Sequence, residues 1–181
     1  AQYLLRRTYT VKPGETILIH AAAGGVGLIA CQWAKLLGAT VIGTVGSPDK
    51  AAVAKAHGCD HTINYKTEHF VERVREITHG AGVPVVYDSV GKDTFTASLD
   101  CLRPRGLMVS FGQSSGAIPP FSPGVLATKG SLFLTRPTLV NYTSTREELV
   151  ATTGLRPLRD KRVDGRLRRG IRILGDGDVH E

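Results

Sequence analysis

The residues best suited to chemistry lie in one short run, His20-Ala21-Ala22-Ala23-Gly24-Gly25-Val26-Gly27. It follows an apolar segment, Thr16-Ile17-Leu18-Ile19, and opens a helical pattern from Val26 to Leu37. A glycine-rich turn between a strand and a helix offers unpaired backbone N–H groups and the positive end of the helix dipole. Those two features hold the pyrophosphate of a dinucleotide. Gly24 lets the backbone approach the phosphates, the amides from Gly25 through Val26 to Gly27 cradle them, and Gly27 lets the helix pack closely on the strand. Ala22 stands where the usual G-x-G-x-x-G pattern has its first glycine. The strand before and the helix after therefore carry the reading; a tight structural turn is the plainer alternative.

A second group of candidates follows the next strand. A site specific for NAD places an acidic side chain there to accept bonds from the ribose hydroxyls. Here the position is Gly46-Ser47, small and neutral, and Lys50 sits one turn into the following helix, where it can reach a 2′-phosphate as a point charge. Asp49 is the rival, as a ribose-binding acid or simply as an acid favoured in a first helical turn. The histidines, His20, His57, His61, His69, His79 and His180, show no metal-ligand spacing. Cys31, Cys59 and Cys101 are single and far apart, so neither a zinc knuckle nor a disulfide framework is indicated and reduced thiols in the cytoplasm are expected. No Tyr-x-x-x-Lys pair is present, which argues against short-chain reductases.

These groups need a scaffold, and the chain alternates strands with helices to build one. Strands are expected at Thr16–His20, Thr40–Val45, His61–Asn64, Val83–Asp88, Leu107–Phe111 and Ser131–Thr135. The first helix carries Val26, Ile29, Ala30, Trp33 and Leu37 at the spacing of one buried face, and Gly38 ends it. Ser47 caps the second helix, with Pro48 at its first position. Further helices are expected from about Glu68 to Thr78, Lys92 to Leu102 (broken by Arg103-Pro104-Arg105-Gly106) and Val125 to Lys129. Thr145 and Glu148 have capping-box spacing at the start of another. The fold class is α/β: a doubly wound, parallel six-stranded sheet of the Rossmann type, covered on both faces, with the ligand across the C-terminal strand ends beside the first strand.

The 181 residues carry a formal net charge of +7, divided as +4 over residues 1–150 and +3 over residues 151–181. Residues 1–150 are expected to form the nucleotide-binding domain. Beyond Val150 neither period 2 nor period 3.6 is sustained and arginine is frequent. Residues 151–181 are therefore expected to be a basic, poorly ordered tail, with a frameshift or an assembly error as the favoured origin. A family-like continuation in another frame of the encoding DNA would test that origin. No run is apolar enough to span a bilayer and no secretory signal opens the chain. Tyr3-Leu4-Leu5-Arg6-Arg7 reads as the end of a helix, which suggests a preceding part.

Several motifs in fixed order closely resemble one family: His20 to Gly27, Ile42-Gly43-Thr44-Val45-Gly46, Ile63-Asn64-Tyr65, Val86-Tyr87-Asp88-Ser89-Val90-Gly91, and Arg105-Gly106-Leu107-Met108-Val109-Ser110-Phe111-Gly112. The family is the NADPH:quinone oxidoreductases, the zeta-crystallin-like branch of the medium-chain dehydrogenase/reductase superfamily, and the bacterial enzymes are nearest. The resemblance runs from about Tyr3 to Leu149. It implies NADPH as cofactor, with Tyr65 as a further contact to the adenosine phosphate and Val90, Phe111, Gly112, Gln113 and Ser114 in loops that meet the nicotinamide half. It implies hydride transfer to a quinone or an α,β-unsaturated carbonyl without a catalytic metal, and a homodimer formed through the sixth strand. The family's N-terminal catalytic domain is missing from this chain, and no proton donor can be named. An NADPH-binding fragment without turnover and an enoyl reductase of the same superfamily are the alternatives. Nucleic-acid binding through Arg162, Arg166, Arg168 and Arg169 is a weaker reading.

Overall fold

In the computed structural model, residues 1–153 are described. Of the expected tail, residues 151–153 instead continue a helix that begins at Arg146, and the rest, with the basic run from Arg162 to Arg169, lies outside the described residues. Six parallel strands form one sheet: β1 (Thr16–Ile19), β2 (Thr40–Val45), β3 (His61–Asn64), β4 (Val83–Asp88), β5 (Leu102–Ser110) and β6 (Phe133–Thr135). Their order is β3-β2-β1-β4-β5-β6, so the chain leaves β1 in one direction for β2 and β3 and returns beside it at β4. This is the doubly wound Rossmann order, with a switch point between β1 and β4.

Strand alternation sorts the apolar side chains onto two faces. Ile17, Ile19, Val41, Val45, Val85, Tyr87 and Val109 pack on one side with helix α1 (Gly25–Leu36). Leu18, Ile42, Ile63, Val86 and Met108 pack on the other with α3 (Phe70–Ile77) and α4 (Phe95–Leu99). A sheet buried on both faces requires this two-sided apolar pattern. A π-helical segment, Leu4–Thr8, adds Leu4 and Leu5 to the first core, tied down by Tyr87 Oη donating to Leu4 O at 3.2 Å. The second helix, α2 (Pro48–Ala56), is capped by Ser47, whose Oγ accepts from Lys50 N at 3.3 Å. The short α5 (Gly124–Thr128) leads to β6. At α6 (Arg146–Thr153) the capping box is formed: Glu148 N donates to Thr145 Oγ1 at 3.1 Å and Thr145 N donates to Glu148 Oε2 at 3.4 Å.

Two expectations need correction. The buried residues of α1 are Gly27, Leu28, Ala30, Cys31, Gln32 and Ala34; of the expected stripe, Ala30 lies in the core and Trp33 and Leu37 pack against its edge, whereas Val26 and Ile29 do not join it. Val26 is 45% exposed, and Ile29, Trp33 and Leu37 are half-buried. Small residues let the helix axis approach the strands, which displaces the bulky stripe to the side. There Val26, Ile29 and Trp33 line an apolar groove with Tyr3, Leu4 and Phe111. The second correction concerns β5. The helix before it ends at Leu99, and the strand already starts at Leu102 and runs through Arg103-Pro104-Arg105-Gly106. The register with β4 shifts between Val83 and Val85, around Pro84, and Arg105 takes φ 60°. Prolines cannot donate to the ladder, so an irregular stretch of strand reads in sequence as a break.

Candidate nucleotide-binding site

The glycine turn is built by three close approaches. Ala21 has φ 51°, which turns the chain off β1, and Gly24 N closes the turn by donating to Ala21 O at 2.8 Å. Ala22 is fully buried and donates its N–H to Thr44 O at 3.0 Å, tying the turn to β2. A Cβ on Gly27 would lie 2.8 Å from Ala22 O and closer still to Ala21 O, so only glycine lets α1 start here. Around Gly25 nothing lies within 4 Å of where a Cβ would stand. Gly25, Val26 and Gly27 are the first residues of α1, so their N–H groups have no carbonyl one turn earlier within the helix.

Above this turn, at the C-terminal ends of the strands, opens a cleft of about 430 Å³. Gly24, Gly46, Lys50, Tyr65, Val90 and Ser114 line it, bringing together candidates from five separate loops. The adenosine side of such a site would be the end of β2. Tyr65 N donates to Val45 O at 3.2 Å, and the ring lies against Gly46, where a Cβ would stand 2.7 Å from Tyr65 Oη. Lys50 is exposed in the first turn of α2 and its side chain faces the same space. Asp49 is exposed in that turn as well but does not line the cleft.

The remaining candidates stand apart from the cleft wall. Val26 and Phe111 line the apolar groove beside α1. Ser47 serves as the cap of α2. Gly112 and Gln113 do not line the cleft and press against the turn after β4. A Cβ on Gly112 would meet Ser89 O at 2.6 Å, and one on Gly91, at φ 92°, would meet Gly116 O at 2.8 Å and Gln113 Cα at 3.0 Å. Bonds from Ser114 N to Ser89 O (3.1 Å) and from Ser115 N to Val90 O (2.9 Å) join the two loops. Arg136 braces them from β6's end, donating to Ser110 O at 2.8 Å and Gly112 O at 3.2 Å.

Asp88, the last residue of β4, organises the turn that follows it. It is fully buried; its Oδ1 accepts from Val90 N (2.7 Å) and Gly91 N (3.1 Å), and its Oδ2 accepts from Thr94 Oγ1 (2.8 Å). Three donors on one carboxylate are what a buried anion needs. Thr44, Phe70, Asp93, Thr94 and Ser115 also line the cleft and were not singled out from the sequence. Thr44 and Ser115 were within reach of that reading, one in the second strand and the other in the loop after the fifth. Phe70 and Thr94 reach the site only through the packing of α3 and the start of α4.

Among the described residues no group of three or more His, Cys, Asp or Glu side chains is placed to hold a metal ion. Cys31, Cys59 and Cys101 are buried and free. Burial pushes the Cys101 thiol up to about 12, the opposite of what a metal-binding thiolate needs. Nor is any helix of the described residues long and apolar enough to cross a membrane.

Known proteins share this arrangement. A quinone oxidoreductase of Pseudomonas aeruginosa is 60% identical over 150 residues, covering 83% of this chain and 46% of that protein. A 2-haloacrylate reductase of a Burkholderia species is 58% identical over 150 residues, covering 82% and 45%. The crystal structure of Escherichia coli quinone oxidoreductase complexed with NADPH superposes with a TM-score of 0.83 at 60% identity, covering 84% of this chain and 47% of that one. The chain thus spans about half the length of the relatives it matches. The family described as zinc-binding dehydrogenase matches residues 25–152. That description names a metal that the donor groups described here do not fit, yet the match takes in all of α1, most of the cleft lining and every strand after β1, and the chain belongs to this family.

Proposed function

We propose that residues 1–150 are the NADPH-binding domain of a quinone oxidoreductase, a protein that reduces quinones or α,β-unsaturated carbonyls. The observation that carries this reading is the cleft: a glycine turn, a β2 end without an acid, and Lys50 line one cavity at the switch point of the sheet. In this reading Gly24 and the amides of Gly25, Val26 and Gly27 hold the pyrophosphate. Lys50 and Tyr65 hold the 2′-phosphate, beside Gly46 and Ser47. Val90, Phe111, Gly112, Gln113 and Ser114 orient the nicotinamide end, largely through backbone groups. When bound, such a cofactor supplies a hydride to a conjugated electrophile. The work of this chain is to bind and orient it and to keep the loops around the reacting end rigid.

A homodimer through β6 belongs to the same reading. That strand lies at the sheet edge, and Phe133 on it is 60% exposed. Unprotected apolar edges invite strand pairing. The three free cysteines suit a reducing compartment, so we place the chain in the cytoplasm. A second reading is favoured by the coverage of 46% of the Pseudomonas relative: the chain binds NADPH but turns nothing over by itself.

Titration of the 181-residue chain with NADPH and NADH tests the site. NADPH is expected to bind at least about tenfold more tightly, the worth of one charge-assisted contact of about 1.5 kcal/mol. Lys50→Ala should bring the two within about threefold. Equal binding of both by the unmodified chain would refute the role of Lys50, and binding of neither by folded protein would refute the site. NADPH oxidation with a small quinone by this chain alone would refute the second reading.

A further inference from the structure

Beneath the cleft floor lies a buried polar side chain that the proposed function leaves without a part. His20 is 1% exposed, and its backbone N donates to Tyr87 O at 2.9 Å. Its Nδ1 lies 2.9 Å from Thr44 Oγ1 and its Nε2 lies 2.8 Å from Ser98 Oγ. The ring stands edge-on to Phe70, with centroids 5.1 Å apart. Thr44 and Phe70 line the cleft directly. Ser98 Oγ donates to Thr94 O at 2.7 Å, and Thr94 Oγ1 donates to Asp88, whose other oxygen holds the amides of Val90 and Gly91. One polar chain therefore runs under the cleft, from the end of β2 to the turn after β4.

The contact from Ser98 to Thr94 O favours one direction for it. With the single hydrogen of the Ser98 hydroxyl on Thr94 O, which also accepts from Ser98 N, the hydroxyl oxygen accepts from His20 Nε2–H. Burial lowers the pKa of His20 to about 4, against the opposing pull of the Asp88 carboxylate, so the ring is neutral near pH 7. Thr44, Phe70 and Ser98, its neighbours from β2, α3 and α4, bring no charge. With the proton on Nε2, Nδ1 is an acceptor and the Thr44 hydroxyl donates to it. Every link in the chain is directional and satisfied, which is the condition under which a buried polar network rigidifies its surroundings.

We propose that His20 is a positioning residue: as the Nε2–H tautomer it fixes Thr44 at one end of the cleft and, through Ser98 and Thr94, the Val90–Gly91 turn at the other, keeping the two ends of a bound dinucleotide in one register. This rests on the nucleotide-binding reading above. The test combines a spectrum with binding. Long-range proton–nitrogen spectra of the histidine-labelled 181-residue chain should show His20 as the Nε2–H tautomer at pH 7, unchanged at pH 5. His20→Leu should weaken NADPH binding at least tenfold. His20→Gln, which keeps one donor and one acceptor, should bind within about threefold of the unmodified chain. An Nδ1–H tautomer, or a folded His20→Leu protein that binds NADPH as tightly as the unmodified chain, would overturn the role. If His20→Leu does not fold, Ser98→Ala removes only the acceptor of Nε2–H. It should then weaken NADPH binding at least threefold, and unchanged binding would overturn the role. An unmodified chain that fails to bind NADPH overturns the nucleotide site and the role together; one that binds while the variants are unaffected overturns only the part given to His20.

Discussion

Two glycines two residues apart should respond in opposite ways to the same added methyl group. Gly27→Ala puts a Cβ 2.8 Å from Ala22 O and 2.9 Å from Ala22 C, and closer still to Ala21 O, where ordinary contact begins at 3.4 Å. All three atoms are backbone, so no side chain can swing away. The start of α1 must lift from the turn instead. Overpacking of this kind costs about 1–3 kcal/mol, and a backbone obstacle places it near the upper end. Helix propensity opposes the loss by up to about 1 kcal/mol, since alanine is favoured over glycine. The net expectation is a loss of about 2 kcal/mol. Gly25→Ala meets nothing within 4 Å and should leave stability within about 0.5 kcal/mol or raise it. It does place a methyl group where the proposed pyrophosphate sits, so NADPH binding should fall about tenfold. Urea unfolding followed by the fluorescence of Trp33, the single tryptophan and itself on α1, measures both variants, provided the slope with denaturant is unchanged. A Gly27→Ala protein as stable as the unmodified chain would refute the packing argument. A Gly25→Ala protein with full stability and full affinity would refute the placement of the phosphates.

Acid should destabilise the fold through His20. Its pKa falls from 6.5 to about 4 on folding, so between those values the unfolded chain takes up a proton that the folded chain refuses. Stability is therefore lost as pH falls through this window, by about 3 kcal/mol in all. Urea midpoints from pH 7 to pH 4 should show this slope, and the slope should shrink in His20→Gln. Asp88→Ala strands two amides and the Thr94 hydroxyl in a buried site and should cost at least about 3 kcal/mol by denaturant unfolding. Thr145→Ala removes the acceptor for Glu148 N and should cost about 1 kcal/mol locally, read as faster amide hydrogen exchange in the first turn of α6.

The sequence was most readable where one element's own periodicity decides its form. The bounds of β2, β3 and β4 follow from runs holding β-branched residues that end at Gly46, Asn64 and Asp88, and they agree with the structure. The Thr145–Glu148 box and the Ser47 cap are local hydrogen-bond patterns, legible for the same reason. The buried side of α1 was only partly read, because Val26 and Ile29 extend a convincing stripe through Ala30 and Trp33, whereas the sheet selects for small volume at Gly27, Ala30 and Ala34. For the site, the glycine turn, Gly46 and Lys50 were visible because strand ends are predictable in a parallel sheet, and Tyr65 was reached through the family resemblance. The network of Thr44, His20, Ser98, Thr94 and Asp88 was not, since its members come from four elements and meet only after the helices pack.

Gly91 and Gly112 interlock two loops that are separated along the chain: each would drive a methyl group into the backbone of the other loop, and Ser114 and Ser115 bond across the seam. The pair is thus a single mechanical part with two insertion points in the gene. Transplanting either segment alone from a relative should give a poorly folded chimera, whereas moving both together should preserve the fit. Drift in substrate preference within the family would, by the same logic, tend to arrive as linked changes on both sides of the seam.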